Sequence, residues 1–101
     1  MPEQDNLLYT KLLTETAQIQ WSELERFFAS GVLLRISADM NLITVAEALA
    51  ANKHEQVATW LNEQRLQKVE VEQAQDYLAR DPELWAVVVA PWVVIQERIA
   101  E

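Results

Sequence analysis

Twelve consecutive apolar residues near the C-terminus constrain this chain more than anything else in it: Leu84, Trp85, Ala86, Val87, Val88, Val89, Ala90, Pro91, Trp92, Val93, Val94 and Ile95. The run falls short of the roughly 20 residues a membrane-crossing helix needs. Leaving it in water is expensive, because burying one large apolar side chain is worth about 1.5–3 kcal/mol. It must therefore lie in the core or against another chain. Asp81-Pro82-Glu83, just before it, has the form of a helix start, with Asp as N-cap and Pro in the first turn. The triplets Val87-Val88-Val89 and Val93-Val94-Ile95 argue the other way, since β-branched side chains are stiff and suit strands. A run without polar alternation fits strands buried on both faces. Pro91 has no N–H to give to a ladder and belongs at a break. The run thus predicts strands over 85–90 and 92–96, joined at Pro91.

The rest of the chain reads mostly as short amphipathic helices. Over 5–19, Leu8, Leu12 and Thr16 share a face, with Tyr9, Leu13 and Ala17 beside it, and Asp5 or Asn6 serves as N-cap. A second helix is predicted over 22–30, where Ser22 and Glu25 have capping-box spacing and Trp21, Leu24, Phe27 and Phe28 form the apolar stripe. The only glycine, Gly31, falls where a left-handed residue ends a helix. A short strand is expected over 32–36, interrupted by Arg35. Leu42, Val45, Ala46, Leu49 and Ala50 fill a full helical template, with Asn52 as its stop. Val57, Trp60 and Leu61 repeat the pattern over 53–64. Leu66, Val69 and Val71 suggest a strand, and Ala74, Tyr77 and Leu78 a helix ending near Arg80.

That order predicts an α+β fold, with helices packed on a small, mostly antiparallel sheet. It is also the order of a winged helix, with Val45, Ala46 and Val57 at helix-turn-helix packing positions. The length of 101 residues suits a single domain, with 1–4 expected to be disordered and 97–101 frayed.

Three segments together carry a family resemblance. They are Trp21-Ser22-Glu23-Leu24 with Phe27, Phe28 and Gly31; Leu42 to Ala50 with Val57, Trp60 and Leu61; and, most specific, Asp81 to Val93. They resemble the bacterial family of domain of unknown function 2288 from about Leu7 to Gln96. The resemblance implies a small stand-alone bacterial protein and brings no activity, cofactor or site residue. A glycine is usual in that pattern near the position of Gln64, and acidic residues near that of Lys53, two places where this chain departs from it.

Composition narrows the chemistry. With no cysteine, disulfides, thiol catalysis and thiolate metal sites are excluded, and one glycine cannot make a Gly-rich phosphate loop. No basic segment followed by an apolar one opens the chain, so a cytoplasmic location is expected. The formal charge of −8 divides as −3 over 1–31, zero over 32–69 and −5 over 70–101. Acidic ends repel phosphate backbones and anionic membranes. Neither nucleic acid nor a membrane is the expected partner.

Candidate sites are few, and no cofactor is expected. His54 is the lone histidine, a poor basis for a zinc site. Ser22, Ser30 and Ser37 lack the supporting parts of a catalytic triad. Among the acids, Glu23, Asp39, Glu47 and Asp81 lie near apolar elements, where desolvation tunes carboxylates for catalysis, yet each also suits a cap, turn or solvated face. The favoured reading is a non-catalytic protein-interaction or regulatory domain. Its contact is Trp85, Trp92 and Val94, with Arg35 and Arg80 anchoring an acidic partner, and its partner is an unidentified protein or a second copy, forming a homodimer. The alternative is a winged-helix DNA-binding regulator reading DNA through Lys53, Gln56, Thr59 and Arg65. Glu55 and Glu63 on the same segment, and a pI near 4.5, oppose it.

Overall fold

The computed structural model describes residues 15–97. Their elements, in chain order, are β1 (Ala17–Ile19), α1 (Trp21–Ala29), β2 (Leu33–Ile36), α2 (Leu42–Ala50), α3 (His54–Asn62), β3 (Leu66–Lys68), α4 (Val71–Arg80), β4 (Leu84–Val89) and β5 (Trp92–Glu97). The apolar run forms the β4–β5 hairpin, turning at a cis Ala90–Pro91 bond, as its β-branched triplets require. The five strands make one mixed sheet in the order β1-β4-β5-β2-β3, antiparallel except for the β2–β5 pair. The hairpin therefore occupies the middle of the sheet.

Helices cover both faces. On one, α2 and α3 bury Leu42, Val45, Ala46 and Trp60 against Leu34, Ile36, Leu66, Val87, Val89 and Val94. On the other, α1 and α4 bury Trp21, Leu24, Ala74 and Tyr77 against Leu33, Leu84, Ala86, Val93 and Ile95. Trp21 anchors the second layer, its ring 5.4 Å from that of Tyr77 and 6.0 Å from that of Phe28. Two-sided burial explains the missing polar alternation in the run: the successive residues Val93, Val94 and Ile95 are all buried, on alternating faces.

Three helices end in the same way. In a Schellman motif the two residues past the C-cap donate back into the last turn, and the first of them is left-handed. After α1, Gly31 (φ 77°) donates to the Phe28 carbonyl at 3.0 Å and Val32 to Phe27 at 3.2 Å. After α2, Asn52 (φ 57°) donates to Leu49 and Lys53 to Ala48; after α3, Gln64 (φ 61°) donates to Leu61 and Arg65 to Trp60. Gly31 and Asn52 thus act as the stops their positions indicate.

Several expectations need correction. Ala17, Gln18 and Ile19 are not helical but pair with Ala86, Trp85 and Leu84; the remainder of that expected helix, through residue 14, lies outside the described residues, as do the expected disorder of 1–4 and the fraying past Glu97. Pairing with a strand outweighs the helical period there. Ser22 does not cap α1, whose N-cap is Gln20 with no side-chain bond. A capping box stands instead at α4, where Gln73 accepts the Glu70 N–H at 3.0 Å. Asn41, not singled out by the sequence pattern, caps α2 by accepting from the Ile43 and Thr44 N–H groups at 2.9 and 3.0 Å. Glu97 belongs to β5 and is held by Arg80. The winged-helix variant of the fold does not hold: a wing projects beyond its helices, whereas this hairpin is the buried centre of a sheet covered on both sides.

Candidate binding groove

The loop Ala51-Asn52-Lys53 joins α2 to α3. The left-handed Asn52 reverses the chain, and α3 then touches the core mainly through Trp60, its one buried residue. Val57 is half-buried, and Leu61 remains 48% exposed. Beside α3 lies a cleft, lined by Val57, Ala58 and Leu61. This cleft has a volume of about 520 Å³. Its floor is Leu34, Leu66 and Trp92 from three strands; its walls are Ala48 and Leu49 of α2 and Val57, Ala58 and Leu61 of α3. Polar side chains stand at its margin only: Asn52, Lys53, His54 and Lys68.

The charges of the groove are of one sign. The chain has 16 acidic residues, yet none of those among the described residues lines this cleft. The described arginines are engaged elsewhere: Arg26 over the Phe27 ring, Arg35 on Gln67, Arg65 with Asp39 and Glu63, and Arg80 with Asp76 and Glu97. Lys53 and Lys68 make no side-chain ion pair or hydrogen bond among the described residues. Lys68 lines the groove, and its Nζ lies 3.4 Å from where a Cβ on Gly31 would stand.

The residues expected to form a protein contact do not converge. Val94 is fully buried and cannot touch a partner. Trp85 and Trp92 are half-buried on the α2–α3 face, Trp92 as groove floor. Arg35 and Arg80 lie on the opposite face, near Tyr77 and Glu97. Arg80 cannot anchor an acidic partner because it is already held: it donates to Asp76 at 2.6–2.9 Å and to Glu97 at 2.8 and 2.9 Å. That hydrogen bonding holds the Asp76 carboxyl below its ordinary range and raises Arg80. Burial pushes the Tyr77 phenol up. Pairing of β5 with a second copy is also excluded, since it has a strand on either side.

The alternative nucleic-acid set lies at the surface without assembling a basic face. Lys53, Gln56 and Thr59 are exposed, but the Thr59 hydroxyl donates to the Glu55 carbonyl and Arg65 is paired with Asp39 at 3.6 Å. Of the carboxylates, Glu23 and Asp81 line one surface depression of about 340 Å³ with Gln18, Ile19, Gln20 and Pro82. Both are exposed, and no nucleophile or imidazole joins them. Asp39 and Glu47 lie elsewhere. No group of three or more metal-ligating residues is gathered among the described residues. None of the described helices is long and apolar enough to cross a membrane.

Sequence reasoning missed Lys68 and passed over His54 and Leu61 as groove residues. A period-2 reading of Leu66-Gln67-Lys68 carried the signal for Lys68, placing it on the face of Leu66.

The profile of the family described as "Protein of unknown function (DUF2288)" matches residues 7–97. The chain belongs to this family. This DUF2288 chain is also similar to PA1075 of Pseudomonas aeruginosa, whose solution structure was determined by NMR. The two are 58% identical with a TM-score of 0.83, over 99% of this chain and 93% of that one. No curated protein matches the chain.

Proposed function

We propose that this chain is a non-catalytic binding domain that recognises its partner through the groove under α3. The observation that carries the reading is an apolar cleft of about 520 Å³, within the range of ligand pockets, with polar groups only at its margin. The half-buried Trp92, which lines the groove, supports a contact role for that residue. The bacterial cytoplasm, expected from the sequence, is the compartment in which that partner is sought.

A neutral apolar probe tests the groove itself. In amide and methyl NMR spectra, 1-octanol is expected to shift Leu49, Val57, Leu61 and the Trp92 indole. Val88, an apolar residue on the opposite face that is 58% exposed, serves as the control and should not move. Shifts of equal size at Val88, or none up to the solubility of octanol, would refute the groove as a recognition surface.

A further inference from the structure

The groove selects by charge as well as by apolarity. A chain with twice as many acids as Lys and Arg together places none of the described acids in this apolar cleft, whose lining includes Lys53, His54 and Lys68. Local charge is thus opposite in sign to net charge. Both lysines lack a partner among the described residues, whereas the described arginines all have one. Two cations that line one apolar cleft attract a single anionic group more strongly together than either does alone.

Resting on the groove reading above, we propose that the occupant is a small amphiphilic carboxylate, its apolar body between Leu61 and Trp92 and its headgroup between Lys53 and Lys68. The surroundings favour a small molecule over an acidic peptide or nucleic acid. Glu55 on α3 and Glu63 at its C-cap are exposed, so a long polyanion that runs along α3 beyond the cleft meets repulsion. A monocarboxylate contained within the cleft meets only the basic margin.

The test uses octanoate, 1-octanol and octylammonium, well below micelle formation, with the intact chain and NMR titration. Octanoate is expected to bind about tenfold more tightly than octanol, the difference a charge-assisted hydrogen bond confers, and octylammonium more weakly than both. Lys53→Gln combined with Lys68→Gln should bring octanoate to within about twofold of octanol, while the Lys→Arg pair at the same positions keeps the preference. Both positions are exposed, so the variants retain the fold, which their unshifted core methyl signals would show. Equal affinity for octanoate and octanol in the groove would overturn the carboxylate proposal and leave the groove reading standing. Absence of both probes from the groove would overturn the two together. Displacement of octanoate by an acidic amphipathic peptide of higher affinity would overturn the small-molecule assignment.

Discussion

Replacing Gln64 by glycine should stabilise the protein, although it removes a side chain and adds flexibility. Gln64 holds the left-handed position after α3 at φ 61°, the conformation that Gly31 holds after α1 at φ 77°. For a residue with a Cβ, that conformation costs roughly 1–2 kcal/mol. Glycine removes this strain but gains freedom in the unfolded chain, which offsets about 0.4–1 kcal/mol. The exposed Gln64 side chain makes no hydrogen bond among the described residues, so little else is lost. The net gain is about 0.5–1 kcal/mol, and for a domain of this size it raises Tm by about 2–8 °C. Thermal unfolding followed by circular dichroism measures it. Gln64→Ala is the decisive control: it removes the same side chain but keeps the Cβ, and should leave Tm nearly unchanged. An equal rise in both variants, or no rise in the glycine variant, would refute the backbone-strain argument.

Gly31→Ala should act in the opposite sense, lowering stability by about 0.5–1 kcal/mol once the stiffer unfolded chain offsets part of the left-handed strain, since the added Cβ meets only the flexible end of Lys68 at 3.4 Å. Leu84→Ala, at a fully buried position beneath α1 and α4, should cost about 2–5 kcal/mol in urea unfolding. Tyr77, raised by burial, is expected to ionise above the ordinary tyrosine value of 10.0. A group raised on folding stabilises below its unfolded value and loses that contribution as pH climbs toward the folded one, so stability should fall in alkali, and Tyr77→Phe should flatten the loss. Arg80→Gln should return the Asp76 carboxyl toward its ordinary value in an NMR titration; the lowered value stabilises above the unfolded carboxylate range and fades as acid protonates Asp76, so the variant should lose that acid dependence.

Local signals carried the fold well where chemistry and geometry coincide. The β-branched triplets and Pro91 place the hairpin, Gly31 and Asn52 place two helix ends, and the template from Leu42 to Ala50 places α2. Ala17, Gln18 and Ile19 were misread because nothing nearby announces their partner, which lies on β4, far along the chain. Gln64 was illegible for a different reason: a left-handed residue that is not Gly or Asn leaves no mark in composition. The family pattern has a glycine near there, and the turn that glycine would serve is retained without it. The groove was legible only in pieces. Lys53, His54, Val57, Leu61 and Trp92 were each noticed, but their convergence depends on how far α3 stands from the sheet. Trp60 and Val57 pack that helix on the core, and no periodicity encodes the space left beside them.

The position of the hairpin also dictates when this protein is able to fold. The last two strands of the described chain are the second and third of five across the sheet, and β1 has no strand partner other than β4. As the polypeptide leaves the ribosome, β2 meets only β3, and its parallel neighbour arrives last, with Leu33 waiting for Val93. Contacts so distant in sequence close slowly. A nascent chain stalled before Leu84 therefore carries the helices of both layers with no sheet centre to lie on, and its apolar stripes remain open to chaperones and proteases until the hairpin over 84–97 emerges.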